Sequence, residues 1–238
     1  MNKKLSIIIP AYNESQYIIR CLENVVHTQI RDLEKEIIVV DDGSTDNTLE
    51  LIQTFSKEHK GITILSSKNN KGKGEVLKTG IRKANGDIVI IQDADLEYDP
   101  SDYVTILEKY KNKSTNVVYG SRILGAKIYH NYNANMFFFF GGVLLTKTIN
   151  MMFGTNLTDQ ATCYKSWRSA LSKELLDNLH SSGFEMEVEM TAFFAKKNKI
   201  VEVPIHYYPR TVTHGKKIRF SDFVKSIFMA FRCRFRNK

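Results

Sequence analysis

The stretch DIVIIQDADLEYDP (residues 87–100) joins two opposed patterns. Ile88 to Ile91 are four consecutive β-branched residues, the composition of a strand buried on both faces. Asp93, Asp95, Glu97 and Asp99 follow at alternate positions. Four like charges repel one another and are costly to cluster unless something cationic sits among them. A core strand that runs out into carboxylates therefore predicts a ligand or metal ion at its carboxyl end.

Outward from this stretch, strands and helices alternate. LSIII (5–9), EIIVV (36–40) and ITIL (62–65) read as further short apolar strands. Helices are expected over Asn13–Thr28, from the DDGSTDNT turn to about Phe55, and from the NKGKG turn to about Ala84. This rhythm predicts an α/β chain, a doubly wound, mostly parallel sheet with helices on both faces, folded as a single domain. In such sheets ligands bind beyond the carboxyl ends of the strands. The polar turns PAYNE, DDGST, NKGKG and DADLE all fall at those ends. The second half is less regular. NVVYGSR (116–122) reads as a strand ending in a turn, 134–153 as a very apolar helix, and TDQATCYKSWR as a short strand re-entering the sheet, followed by a helix from about Ser169. FEMEVEM (184–190) alternates like a strand but continues like a helix, and IVEVPIHYYP (200–209) is extended.

The composition, 42% hydrophobic and 25% charged, places the chain among soluble globular proteins. No apolar run reaches the roughly 18 residues of a bilayer span, and the start is too short for a signal peptide. Cys21, Cys163 and Cys233 share no metal-ligand spacing and read as reduced thiols of a cytosolic protein. The net charge of +8 is localised: residues 210–238 carry nine Lys and Arg against the single Asp222, and the rest is neutral. Such a tail suits an anionic surface, lipid headgroups or nucleic acid.

At the strand ends, a hard divalent ion with oxygen ligands, Mg2+ or Mn2+, is the natural partner of Asp93 and Asp95. Asp99 and Ser101 around Pro100 read instead as a helix start. Asp42, beyond the second strand, is placed to accept hydrogen bonds from a ribose or base edge. Trp167 and the Tyr207–Tyr208 pair read as core or pocket wall, and His130, His206 and His214 form no metal set.

The motifs IIIPAYNE, VVDDGSTDNT, NKGKGEVLKTGI, DADLEYDP, YGSR, LTDQATCYKSWR and YYPRTVTHGKK occur in an order that resembles family-2 glycosyltransferases of the GT-A fold. The later motifs resemble the branch of dolichol- and polyprenyl-phosphate sugar synthases. The resemblance runs from about residue 5 to about 219. It implies a nucleotide-sugar site made by Pro10, Ala11, Tyr12, Glu14, Asp42, Lys73, Asp93, Ala94 and Asp95, and a metal held by Asp93, Asp95 and Glu97. It further implies catalytic parts for Asp95, Arg122, Asp159, Arg210 and Lys216. Arg122 matches a phosphate contact, Arg210 and Lys216 match cations that close over the donor diphosphate and acceptor phosphate, and Asp159 matches a position near the reacting centre. Gln160 stands where close relatives have methionine.

The activity this implies is metal-dependent, inverting transfer of a hexose from a UDP- or GDP-sugar to a polyprenyl or dolichyl phosphate. An ionised phosphate acceptor needs positioning by positive charge. A saccharide hydroxyl would need a base, for which Asp159 is the first choice. A non-catalytic nucleotide-sugar-binding subunit and a nucleic-acid-binding tail are the remaining alternatives. Residues 1–219 are expected to form the catalytic domain. Residues 220–238 are expected to form a basic amphipathic helix, with Phe220, Phe223, Val224, Ile227, Phe228, Phe231 and Phe235 on one face. That helix would hold the protein peripherally at the cytoplasmic face of a membrane.

Overall fold

The computed structural model describes residues 3–30, 33–129, 136–210 and 220–236. Seven strands form one sheet: β1 (Lys3–Ala11), β2 (Leu33–Asp41), β3 (Ile62–Ser66), β4 (Ile88–Ile91), β5 (Val117–Ser121), β6 (Lys165–Arg168) and β7 (Ile200–Pro204). Their order is β3-β2-β1-β4-β6-β5-β7. All neighbours run parallel except β6, which is antiparallel to β4 and β5. The chain moves outward from β1 through β2 to β3, then crosses back to β4 on the other side of β1. This opens a crevice at the carboxyl ends of β1 and β4, where a doubly wound sheet binds its ligand.

Strand alternation explains the two covered faces. Ile37 and Val39 of β2 join a core containing Ile18, Leu22, Ile52 and Phe55 from α1 (Ile18–His27) and α2 (Thr48–Glu58). Ile38 and Val40 point the other way, onto Val76 of α3 (Lys73–Lys83). Gly80 lets α3 sit close to the sheet, since a Cβ there would lie 2.4 Å from Ile8 Cγ2. In α1 the buried Ile18, Cys21, Leu22 and Val25 recur at helical spacing. It begins at Ile18, later than the pattern suggested, because Tyr12 to Tyr17 form a site loop. Asp99 accepts from Ser101 N–H at 2.9 Å, with Pro100 following, and starts the turn into α4 (Tyr103–Lys109), as the sequence suggested.

In the second half, β5 leads directly into a helix, α5 (Arg122–Tyr129), where a turn was expected. The apolar run becomes α6 (Met136–Phe153), and α7 (Ser172–Asn178) follows β6. FEMEVEM resolves as the start of α8 (Met186–Lys197). The last helix, α9 (Phe220–Phe235), packs Met229 and Ala230 against Leu145, Ile149 and Val188 of α6 and α8. Among the described residues no helix is long and apolar enough to cross a membrane.

Candidate active site

Four loops at the strand ends enclose one cavity of about 1140 Å³. Twelve of the fourteen expected site residues line it: Pro10, Ala11, Tyr12, Glu14, Asp42, Lys73, Asp93, Ala94, Asp95, Glu97, Arg122 and Arg210. Asp159 lies behind the wall, and Lys216 lies outside the described residues, as do His130 and His214.

The loops are laced together by side chains. Asn13, in the left-handed region at φ 50°, accepts Thr45 N–H at 2.8 Å, while Ser44 Oγ accepts Asn13 N–H and Thr48 Oγ1 accepts Glu14 N–H. This fixes the PAYNE turn on the DDGST turn. Asp42 accepts the N–H groups of Lys71 and Gly72 at 2.8 and 2.9 Å, so it also holds the NKGKG loop in place. Leu96 sits at φ 61° between Asp95 and Glu97. A non-glycine residue there stores roughly 1–2 kcal/mol of strain, and the turn keeps both carboxylates in the cavity wall.

The carboxylates meet cations from three directions. Lys73 Nζ lies 3.0 Å from Asp93 and 3.0 Å from Glu187. Glu187 also takes Lys165, wholly buried, at 2.5 Å. Arg210 reaches Asp95 at 2.8 Å and Glu14 at 3.2 Å, and its backbone N–H donates to Glu97 at 2.9 Å. The other oxygen of Glu97 accepts the Tyr207 hydroxyl at 2.8 Å. Both oxygens of this expected metal ligand are thus engaged by protein.

In this cluster Glu14, Asp93, Asp95 and Glu97 face Lys73 and Arg210, while Glu187 and Lys165 cancel. Among the described residues it is short of two positive charges. Burial, with the charges of Asp93 and Glu97, pushes the Asp95 carboxyl up to about 7 despite Arg210. An oxygen-only donor set with a deficit of two suits a hard divalent cation. Among the described residues, no group of three or more His, Cys, Asp or Glu side chains is gathered as a metal site.

Arg122 also lines the cavity. Asp159 clamps it from behind through its backbone N–H (3.0 Å), Nε (2.7 Å) and Nη2 (2.8 Å). Asp159 is 4% exposed and does not line the cavity. Glu202 of β7 in turn accepts the N–H groups of Thr158 and Asp159 at 2.7 and 2.9 Å, which fixes that turn. The guanidinium of Arg122 lies 5.1 Å from the centre of the Tyr207 ring, within cation–π range.

Beyond Arg122 the cavity runs on between α6 and α9, past Gly141, Gly142, Leu144, Leu145, Phe223 and Ser226. Helix α9 has two apolar sides. Ser226, Met229 and Ala230 face the body, whereas Val224, Phe228, Phe231 and Phe235 are exposed, at 68% for Phe228 and 73% for Phe235. Exposed Lys225, Arg232, Arg234 and Arg236 flank them. Ile227 is half-buried, and the Phe220 side chain lies outside what is described.

Sequence reasoning did not find Lys165, Glu187, Glu202 or the double role of Tyr207. A lysine between Tyr164 and Trp167 in a short strand was the available signal for Lys165, since a buried ammonium needs a carboxylate.

A Glycosyl transferase family 2 model matches residues 6–176. The chain is 31% identical over 221 residues to the UDP-N-acetylglucosamine–dolichyl-phosphate N-acetylglucosaminyltransferase of Methanococcus voltae, covering 86% of this chain and 85% of that one. It is 30% identical over 217 residues to the undecaprenyl-phosphate mannosyltransferase of Micrococcus luteus, covering 88% and 85%. Among solved structures, glucosyl-3-phosphoglycerate synthase from Mycobacterium tuberculosis, in complex with Mn2+, UDP-glucose and phosphoglyceric acid, superposes with a TM-score of 0.72. The sequences are 17% identical, and the match covers 98% of this chain and 80% of that one. The fold is the GT-A fold that the motifs implied.

Proposed function

The chain belongs to glycosyl transferase family 2 and is a glycosyltransferase, and we propose that it transfers a hexose from a UDP- or GDP-sugar to a polyprenyl or dolichyl phosphate with inversion. The observation that carries this reading is the Arg122–Asp159 pair. A fixed cation lines the cavity, and Asp159, the carboxylate paired with it, lies behind the wall with both oxygens bound to that cation. This arrangement orients an acceptor that is already ionised, and an Asp159 so engaged is not placed as a base for a hydroxyl.

In the proposed reaction, an oxygen of the acceptor phosphate attacks the anomeric carbon in line. The bond from that carbon to the nucleotide's terminal phosphate breaks, and the nucleoside diphosphate leaves with the electron pair. Pro10, Ala11, Tyr12, Glu14 and Asp42 hold the nucleobase end, and Lys73, Asp93, Ala94 and Asp95 the ribose and diphosphate. Asp93 and Asp95, with Glu97 adding charge behind them, would hold Mg2+ or Mn2+, which would supply charge stabilisation to the leaving diphosphate. Arg210 adds positive charge on the same side, and Lys216, outside the described residues, is assigned the same part from its motif. Relatives named as dolichyl- and undecaprenyl-phosphate transferases support the acceptor class, and the Mn2+ and UDP-glucose of the solved neighbour support the donor side.

The acceptor is membrane-borne, so the protein must reach a bilayer. We assign this to α9, whose exposed Phe face and basic flanks suit an anionic surface on the cytoplasmic side. The test is transfer from labelled UDP- and GDP-sugars to polyprenyl phosphate, with and without EDTA. Chelator-sensitive label in the lipid phase is the expected result. A donor that binds with metal yet labels no lipid would remove the acceptor reading.

A further inference from the structure

We propose that Tyr207 is a positioning residue that holds the two arginines of the site in register, Arg122 at the acceptor end and Arg210 at the donor end. The inference rests on the reading of those two ends given above. Different atoms of one side chain make the two connections. The ring face lies 5.1 Å from the Arg122 guanidinium, and the hydroxyl donates to Glu97 Oε2 at 2.8 Å. Glu97 Oε1 accepts the backbone N–H of Arg210 at 2.9 Å. A donor-side cation and an acceptor-side cation are therefore referred to the same buried ring, which is 8% exposed.

Tyr207 is itself held on both sides. It pairs with Tyr98 in an isolated antiparallel bridge, and the two rings pack edge-on with centres 5.5 Å apart. Before it, His206 donates its N–H to Asp102 at 2.7 Å and places Nδ1 2.9 Å from the same carboxylate. After it, Tyr208 N–H donates to the Glu97 carbonyl at 2.9 Å. Residues 206–210 are thus zipped along residues 97–102, and the ring cannot turn without opening these pairs. A tyrosine that only filled core would not need to bond to one of the carboxylates at the metal-facing turn.

The test uses the full chain and separates the two connections. Tyr207→Phe removes the hydroxyl and keeps the ring; Tyr207→Leu removes both. Each is titrated with UDP and with GDP in the presence of Mn2+, and with farnesyl phosphate in detergent, alongside a thermal melt. Tyr207→Phe is expected to bind the preferred nucleoside diphosphate about tenfold more weakly and farnesyl phosphate within about twofold of wild type. Tyr207→Leu is expected to weaken both by about tenfold. Should Tyr207→Leu fail to fold, Tyr207→Met, which keeps volume without a π face, takes its place. Wild-type nucleotide affinity in Tyr207→Phe would overturn the proposal. So would equal loss of both ligands in Phe and Leu variants, in step with their melting temperatures, since that is the behaviour of a core residue. If the wild type binds nucleotide but no farnesyl phosphate, the acceptor reading fails, and the nucleotide titration of Tyr207→Phe still decides the donor connection.

Discussion

Replacing Asp159 with asparagine keeps the shape of the side chain and removes its charge, which separates two chemistries for this site. Asp159 takes three hydrogen bonds from Arg122, at 2.7 to 3.0 Å, and is itself almost fully buried. Breaking a buried ion pair from one side leaves an uncompensated charge and costs about 3–5 kcal/mol. Here the Arg122 side chain keeps 23% exposure, so solvent in the cavity screens part of that loss. A destabilisation of about 2–3 kcal/mol is expected, which for a domain of this size lowers the melting temperature by roughly 5–10 °C. The loosened guanidinium should raise the acceptor KM about tenfold and lower kcat by less, because uniform binding is what is lost. Steady-state kinetics with varied polyprenyl phosphate, beside a thermal melt, checks both. If kcat instead fell by about a hundredfold or more with KM and melting temperature unchanged, Asp159 would be a general base, and the acceptor would be a hydroxyl.

Four further outcomes follow from particular contacts. Lys165→Met strands two carbonyls and leaves Glu187 with Lys73 alone, so stability should fall by about 3 kcal/mol in urea, and adding Glu187→Gln should restore part of it, since the two residues are coupled. Burial alone would raise the Glu187 carboxyl, but Lys165 and Lys73 outweigh it and hold it at about 2, below the 4.5 of the unfolded chain. Its contribution is therefore full above about pH 4.5 and is lost as pH falls towards 2, a decline of about 3 kcal/mol that Glu187→Gln should remove from the acid-unfolding curve. Gly125→Ala places a Cβ 1.8 Å from the Ile205 carbonyl oxygen, where backbone cannot yield, and should leave little folded protein by circular dichroism. Serine at Phe228 and Phe235 should leave the melting temperature within about a degree, yet weaken sedimentation with anionic vesicles about tenfold or more; unchanged vesicle binding would remove α9 from the membrane reading.

The parallel half of the fold was legible because its strands are short, apolar and buried on both faces, and because their polar ends repeat at the same edge of the sheet. The same strand ends carry ten of the twelve cavity-lining residues that the family resemblance implied, Arg122 and Arg210 being the exceptions. The order of β4, β6 and β5 was not legible. β6 has only four residues, and long-range packing rather than local pattern decides where it inserts. α8 misled for a definite reason. Glu187 and Glu189 alternate with apolar residues as in an amphipathic strand, but both point inward, Glu187 onto two lysines and Glu189 onto the N–H groups of His180 and Ser181. A period read from polarity fails where carboxylates are interior. Asp159 was placed near the chemistry from its motif, and only coordinates could show that it faces Arg122 and not the cavity.

The two apolar sides of α9 also bear on how quickly and how reversibly it can be used. A peptide that becomes helical only on contact spends part of its binding energy on ordering its own backbone. Here Met229 and Ala230, packed on Leu145, Ile149 and Val188, keep the helix formed beforehand. The outward Phe228, Phe231 and Phe235 are presented by a pre-organised element, so an encounter need only desolvate them. Such a surface can engage and release without a folding step, and a turnover cycle tied to it would not wait on one.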